Sequence, residues 1–377
     1  MGFRVNRSVT ARGWGKYLIM HKDRHVATIR EDGSCTVYYP GFMPYSLYLE
    51  KSDDLDARLN NLNNFYFWCA SRVLTLDRKY AKEILNSIGA TQATTDRERA
   101  EIAISYHCLS LTDVFWVRSE QEQLQFEEIS LYRNSLAGAF VDVSLRGRSL
   151  TAENSELITE SEIAGDAATS GVAPKAWVKR DGTFYLLKDG EIRDVEAELL
   201  ASKIADCFKA EHVIYAEDFF DGQKVSRSRL LTSEDFGIVP MEYVEIYCVN
   251  HDLDRDTFVK KKDAYAYYMM NIIDYLVGNT DRHWGNWGFL VDHSTNRLTH
   301  LHPLMDFNKA FQAYDMLDGA KCQTVSGVMS QRAAALEGVR MVGLNQIAEV
   351  KREWFRDEKT WEMFCQRLEV LRAAEQS

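Results

Sequence analysis

The most informative stretch of the chain reads Gly278-Asn279-Thr280-Asp281-Arg282-His283-Trp284-Gly285-Asn286-Trp287-Gly288-Phe289. Apolar side chains recur at helical spacing before it, at Tyr265, Tyr268, Met269, Ile272, Ile273 and Leu276. Gly278 stands where a glycine commonly closes a helix, and a β-prone run follows over 287–291. The stretch is therefore predicted to be a loop between a buried helix and a strand.

The polar residues of this loop suit phosphoryl transfer. That reaction needs a carboxylate that orients the attacking hydroxyl and an oxygen ligand for Mg²⁺ on the same loop. Asp281 and Asn286 are five positions apart, which is the Asp-to-Asn spacing of a protein-kinase catalytic loop. Asp306 ends an apolar run twenty residues after Asn286 and is the candidate for a second metal carboxylate. Asp306-Phe307 matches the first two residues of the kinase Asp-Phe-Gly motif, with Asn308 in the glycine position.

Each of these residues also has a simpler interpretation when it is taken alone. Asp281 to His283 would then be a solvated turn with a surface ion pair. Asn286 would be an ordinary turn residue, and Asp306 the N-cap of a following helix. The shared order and spacing of the residues favour the phosphotransferase interpretation.

Composition limits the class of protein. The chain has 377 residues, a formal net charge of −11, 46% hydrophobic and 27% charged residues, and a pI near 5.4. This is typical of a globular protein and argues against direct nucleic-acid binding, because phosphate contacts need clustered Lys and Arg. No apolar run is long enough for a membrane span and no export or lipid signal is present, so we expect no membrane association. Seven cysteines without zinc spacing indicate reduced thiols in a cytoplasmic protein.

Residues 1–150 are predicted to form an accessory α+β region without catalytic chemistry. Three short β-prone runs lie at 17–20, 25–29 and 35–39. A helix with Ser52 as its N-cap is expected next. One apolar face of that helix would be made by Leu55, Leu59, Leu62, Phe65, Tyr66 and Cys69. Further helices are expected near 76–88 and 96–107.

The remainder divides into a small lobe over 151–235 and a helical lobe over 236–377 that carries the loop. The small lobe has the pattern of a flexible loop, a hairpin, a helix and two strands, at 163–173, 176–188, 194–208, 213–219 and 224–231. We therefore predict an α+β, two-lobed protein-kinase-like fold. It has a small β-rich N-lobe, a mainly helical C-lobe and an N-terminal α+β extension.

The motifs together resemble the HipA-like serine/threonine kinase family. The run Asn279-Thr280-Asp281-Arg282-His283-x-x-Asn286 and the later Pro303-x-x-Asp306 carry the resemblance. The Asp-Arg-His-x-x-Asn core is also similar to the catalytic loop of phosphatidylinositol 3-/4-kinases, whose fold the HipA-like family shares. Upstream, Gly171-Val172-Ala173-Pro174-Lys175-Ala176 resembles the family's phosphate loop, Gly-x-Gln-Pro-Lys-Ala, with Ala173 in place of Gln. The resemblance covers about 160–310.

The resemblance implies roles for the loop residues. Asp281 would orient or deprotonate the acceptor hydroxyl, and His283 would stabilise transition-state charge in a protonation state that the sequence leaves open. Asn286 and Asp306 would hold Mg²⁺ between the phosphates of ATP. The phosphates would be covered by Ser170, Gly171, Val172, Ala173, Pro174 and Lys175. Family members can be inhibited by autophosphorylation in this phosphate loop, which implies Thr169 and Ser170 as regulatory sites.

Lys188 would neutralise the α- and β-phosphates, and Glu198 on the following helix would position Lys188. Lys179 is the competing lysine and Glu196 the alternative partner, since periodicity alone does not separate the two glutamates. The adenine hinge is assigned to Leu231, Thr232 and Ser233.

The expected function is therefore that of an ATP- and Mg²⁺-dependent serine/threonine protein kinase. The resemblance also implies a small DNA-binding, antitoxin-like partner. Two alternatives stay open. The first is a small-molecule or lipid-type kinase on the same fold. The second is a nucleotide-binding toxin or regulatory module that acts through a partner.

Overall fold

The computed structural model describes residues 15–72, 95–105, 107–133, 175–220 and 222–376. The chain divides into two compact units that are each assembled from separate segments. The first unit comprises Met1–Lys188, Leu230–Gly237 and Val291–Arg297, and the second comprises Asp189–Arg229, Ile238–Leu290 and Leu298–Ser377. The predicted boundary near residue 150 and the predicted helix over 76–88 lie outside the described residues.

The first unit contains an antiparallel sheet built from the three β-prone runs and a fourth strand. Its strands are β1 (Lys16–His21), β2 (Arg24–Arg30), β3 (Cys35–Val37) and β4 (Phe115–Ser119), in the order β3-β2-β1-β4. The helices of this unit are α1 (Leu55–Ala70), α2 (Asp96–Ser105) and α3 (Phe126–Ile129), with a short 3-10 turn at Pro40–Phe42. Side chains such as Ile19, Phe65 and Trp116 are fully buried in its core.

Two expectations for α1 are wrong. The N-cap is Asp54, whose carboxylate accepts the Ala57 N–H at 3.0 Å, while the Ser52 hydroxyl accepts the Asp54 N–H at 3.1 Å. Both residues are good caps, and the one nearer to the helix takes the role. The side chains of Leu55 and Leu59 are 69% and 49% exposed, so the first turns of the helix do not contribute to its buried face.

A hairpin in the first unit has its turn at the residues that the sequence predicted. Its strands are β5 (Lys175–Arg180) and β6 (Thr183–Lys188), in a register that places Lys175 opposite Lys188. The two turn residues, Asp181 and Gly182, have φ of 50° and 76°. This left-handed pair matches the twist of a two-residue hairpin, and Asp-Gly is a favoured sequence for it.

The second unit is mainly helical. Its helices are α4 (Ile192–Ala205), α5 (Met241–Asn250), α6 (Arg255–Val277), α7 (Gln331–Val342) and α8 (Glu358–Glu375), with a 3-10 turn at Arg352–Trp354. It also holds the hairpin of β7 (Tyr215–Phe220) and β8 (Gln223–Arg229). The remaining strands, β9 (Phe236–Pro240), β10 (Gly288–Asp292) and β11 (Arg297–Leu301), form a sheet in the order β11-β10-β9. Helix α4 ends at Ala205 rather than at 208 as predicted.

No helix in the described ranges is long and apolar enough to cross a membrane. All seven cysteines are free thiols, and six of them are buried.

Two buried histidines of the first unit face each other. The rings of His21 and His293 meet edge to face at 6.0 Å, and neither Nε2 atom has a hydrogen-bond partner among the described residues. His21 also packs against Phe42 and Phe115. Burial and the neighbouring His293 lower the pKa of His21 to about 4, with Arg24 and Lys22 adding to this and Asp113 opposing it. Burial also lowers the pKa of His293, against the effect of the Glu234 carbonyl that its Nδ1 contacts.

We expect the free energy of unfolding to fall as the pH drops from about 6.5 to about 4. The unfolded chain binds a proton at His21 in this window and the folded chain does not, which costs the folded state about 3 kcal/mol. Urea denaturation at several pH values measures this, with His21→Phe as the variant and the exposed His300→Gln as its control. The prediction fails if both variants keep the wild-type pH dependence.

Candidate active site

The loop after α6 is anchored before its chemical residues begin. Helix α6 ends at Gly278, whose φ of 60° and ψ of 44° are left-handed, and a Cβ here would lie 2.5 Å from the Tyr314 ring. Arg367 on α8 is fully buried beside this turn and donates to the Tyr275 carbonyl at 2.6 Å and the Met316 carbonyl at 2.8 Å. A cation at a helix C-terminus is favourable for the helix dipole. The start of the loop is therefore fixed by glycine geometry and by Arg367.

Arg282 is the centre of the site. Its side chain is buried and makes a two-pronged ion pair with Asp274 of α6, with Nε to Oδ2 at 2.8 Å and Nη2 to Oδ1 at 2.9 Å. Its Nη1 donates to the carbonyls of Asn286 at 2.8 Å and Met305 at 2.5 Å. Burial disfavours the guanidinium charge, but the Asp274 carboxylate outweighs this and raises the pKa of Arg282. Arg282 thus ties α6, the loop and the segment before Asp306 together.

Asp281 is half-buried, and no hydrogen bond from the described residues occupies its carboxylate. Its backbone is held on both sides, because its N–H donates to Asn279 Oδ1 at 3.2 Å and its carbonyl accepts from Asn286 Nδ2 at 2.8 Å. Burial raises the pKa of Asp281, which the His283 ring opposes and the Asp306 carboxylate reinforces. The structure therefore brings Asp281 near Asp306, which is 25 positions later in the chain.

Asn286 and Asp306 each carry a side-chain oxygen of the kind that binds a cation. The side-chain amide of Asn286 uses Nδ2 for the Asp281 carbonyl, which leaves Oδ1 as its acceptor for a cation. Asp306 has a φ of 62°, and its N–H donates to the Tyr215 hydroxyl at 3.1 Å. The residues after Asp306 form turns and no helix, so the helix N-cap interpretation of Asp306 is wrong.

The donor set fits Mg²⁺. This ion prefers oxygen ligands and usually takes only one or two carboxylates, with phosphates and waters completing its shell. Asp306 and Asn286 Oδ1 are donors of this kind, and Asn308 Oδ1 is a further buried oxygen without a hydrogen-bond partner among the described residues. No group of three or more His, Cys, Asp or Glu side chains in the described ranges forms a metal cage. Asp306 and Asn286 thus offer one carboxylate and one amide oxygen.

His283 is exposed, and its orientation is fixed by the loop. Its Nδ1 accepts the Gly285 N–H at 3.0 Å, and a Cβ at Gly285 would lie 2.9 Å from the ring. An acceptor Nδ1 places the proton of a neutral imidazole on Nε2. For the neutral tautomer this contact leaves Nε2–H as the donor.

The two candidate glutamates of α4 have different surroundings. Glu198 is 1% exposed and accepts a hydrogen bond from the Ser226 hydroxyl of β8. Glu196 is instead paired with Arg356. Helix α4 is also fastened through Asp194, which accepts from Lys309 Nζ at 2.8 Å and Gln312 Nε2 at 2.7 Å. The helix that carries Glu198 is thereby tied to the segment after Asp306.

The other predicted ATP residues lie in the first unit. Lys188 ends β6 and is 8% exposed, while Lys179 donates to the Tyr132 carbonyl at 3.3 Å and covers the Phe184 ring. In the predicted hinge, the Thr232 hydroxyl donates to the Leu111 carbonyl, and the Ser233 N–H to the Phe236 carbonyl at 2.8 Å. Leu231 precedes them and is partly buried. Lys175 begins β5, whereas Thr169, Ser170, Gly171, Val172, Ala173 and Pro174 lie outside the described residues.

Sequence reasoning missed Asp274 and Tyr215. The signal for Asp274 is an acid inside the apolar run Ile272-Ile273-Asp274-Tyr275-Leu276 of a buried helix, because an acid in such a place needs a partner. Tyr215 gave no signal, since it is one of several aromatic residues in a strand.

Comparison with known proteins gives structural matches alone. No family model and no curated protein matches the chain. HipA of the Shewanella oneidensis MR-1 toxin–antitoxin system, solved with HipB and its operator DNA, has a TM-score of 0.53 at 11% identity and covers 96% of this chain and 97% of that one. The Helicobacter pylori proinflammatory kinase CtkA has a TM-score of 0.42 at 12% identity and covers 55% of this chain and 92% of its own. The predicted fold class is confirmed: this chain has a mixed α+β fold that is similar to the fold of HipA.

Proposed function

We propose that this protein is an ATP- and Mg²⁺-dependent serine/threonine protein kinase of the HipA-like type. The observation that carries the proposal is the network of Arg282, which holds the Asn286 and Met305 carbonyls at once. This network supports the proposal because it ties together the two segments of the chain that carry Asp281, Asn286 and Asp306. A solvated turn would need no buried arginine beneath it.

The proposed chemistry depends on positioning and charge rather than on a covalent intermediate. Asp281 accepts the hydrogen of the acceptor hydroxyl, and its raised pKa makes it a better base than an ordinary aspartate. Asn286 and Asp306 would hold the metal ion, which would supply positive charge to the phosphates. His283 would stabilise charge on the phosphoryl group in the transition state, and Lys188 would neutralise the α- and β-phosphates.

An antitoxin-like partner is part of this proposal. The HipA of Shewanella oneidensis was solved in a complex with HipB and operator DNA, and it shares its fold with nearly the whole of this chain. The net charge of −11 disfavours direct DNA binding by this chain itself, so contact with DNA is assigned to the partner. A cytoplasmic location belongs to the same proposal.

The test is incubation of the purified protein with γ-labelled ATP and Mg²⁺, beside the Asp306→Ala variant, followed by mapping of phosphorylated residues. We expect label on Ser or Thr in the wild type and none in the variant, with Thr169 and Ser170 as the first positions to inspect. Absence of label, with Mg²⁺-dependent ATP binding intact, would favour a small-molecule substrate. Absence of ATP binding would refute the kinase proposal.

A further inference from the structure

The peptide group that joins Met305 to Asp306 is held at both of its ends. Its carbonyl accepts from Arg282 Nη1 at 2.5 Å, and its N–H donates to the Tyr215 hydroxyl at 3.1 Å. A peptide group fixed on both sides cannot rotate about its neighbouring bonds without losing two hydrogen bonds. The orientation of this peptide sets the φ of Asp306 and so the direction of its carboxylate.

The Tyr215 hydroxyl takes the place of a backbone acceptor at the end of a short parallel β-ladder. Leu304 pairs with the chain before β7 in a parallel arrangement, since its N–H donates to the Glu211 carbonyl and its carbonyl accepts the Val213 N–H. The next acceptor along such a ladder is the Val213 carbonyl. That carbonyl instead accepts the Ser202 hydroxyl at 3.2 Å. The N–H of Asp306 is satisfied by the Tyr215 side chain in its place.

Asp306 also adopts a backbone conformation that needs support. Its φ of 62° lies in the left-handed region, where residues other than glycine carry a cost of about 1–3 kcal/mol unless their surroundings hold them. The Tyr215 hydroxyl is one such support. Tyr215 is itself 7% exposed, and its backbone N–H donates to Ser202 Oγ of α4 at 3.1 Å, one helical turn after Glu198.

We propose that Tyr215 is a positioning residue for the metal-binding carboxylate. Its hydroxyl fixes the Met305–Asp306 peptide and thereby the position of Asp306. Its backbone N–H bonds to Ser202 of α4, the helix that carries Glu198. This inference rests on the proposed function, because it assigns Tyr215 to the Mg²⁺ response of the same site. In this role Tyr215 acts through Asp306.

The test compares Tyr215→Phe with Tyr265→Phe. Tyr265 is a matched control because its hydroxyl also bonds to a backbone group, the Lys209 carbonyl at 2.7 Å. It lies in the half of α6 that is farther from the loop in sequence. ATP binding is measured by calorimetry in EDTA and across a Mg²⁺ titration. We expect Tyr215→Phe to weaken the apparent Mg²⁺ affinity by about 3–10-fold, the effect of one lost hydrogen bond, with ATP binding in EDTA unchanged. Tyr265→Phe is expected to match the wild type in both.

A second comparison separates positioning from general stability. In the Asp306→Asn background, Tyr215→Phe is expected to cause no further loss of Mg²⁺ response, because both changes act on one group. Equal losses in both backgrounds, or equal Mg²⁺ responses of Tyr215→Phe and wild type, would overturn the inference alone. A wild-type protein without any Mg²⁺-promoted ATP binding would overturn the proposed function, and this inference with it.

Discussion

Replacing Asp281 with alanine is expected to slow phosphoryl transfer by about a thousandfold while ATP binding is retained. Asp281 is the one carboxylate on the loop, and its carbonyl rather than its carboxylate is used to hold the loop together. The side chain is therefore free for chemistry, and its loss leaves the Asn286 contact in place. Labelled phosphate transfer measures the rate, and calorimetry measures ATP binding.

Asp318→Ala is the control for this change. Asp318 is an exposed aspartate of the same unit, paired at the surface with Arg332 at 3.0 Å, and its removal should leave the rate within about twofold. The raised pKa of Asp281 adds a second readout, because the wild-type rate should fall with decreasing pH before an ordinary aspartate would titrate. Transfer by Asp281→Ala at more than a tenth of the wild-type rate would contradict the role.

Replacing Asp274 with alanine is expected to lower the free energy of unfolding by about 3–5 kcal/mol. The change leaves the guanidinium of Arg282, which is 2% exposed, without its carboxylate partner. A buried charge that loses its partner costs far more than the pair contributes, because its desolvation is then uncompensated. Asn279 also loses an acceptor for its Nδ2 at 3.1 Å.

Urea denaturation measures the change, and Asp318→Ala again supplies the comparison. The surface pair with Arg332 should be worth no more than about 1 kcal/mol. The double variant Asp274→Ala with Arg282→Met should recover part of the loss in stability, since it removes the unpaired charge. If Asp274→Ala costs as little as Asp318→Ala, Arg282 is not the buried hub that its contacts indicate.

Periodicity predicted the regular elements of the fold well. Alternation located β1 to β3, Asp181-Gly182 located the hairpin, and the apolar stripe before Gly278 located α6. Element ends were less accurate, as at Ser52 and Asp54, because two good caps in sequence compete and the local backbone decides between them. The fold class followed from the order of these elements and from the loop motif.

The candidate site was predictable only where its residues follow a motif. Asp281, Asn286 and Asp306 are recognisable by spacing, whereas Tyr215 is defined by a contact with a residue 91 positions later. Glu196 and Glu198 stand two positions apart on one helix, and only the partners Arg356 and Ser226 distinguish them. Contacts over such separations leave no periodic signal in a single sequence, so their roles require the folded chain.

The buried Arg367 has a consequence for how the protein is made. The turn at Gly278 is held from α8, which is synthesised about ninety residues after it. A ribosome-bound chain that has released the loop but not α8 lacks the contacts of Arg367 with the Tyr275 carbonyl and the Tyr314 ring. The turn at Gly278 therefore gains this anchor only after α8 has been synthesised. Products of premature termination before α8 would carry the whole motif without its anchored geometry.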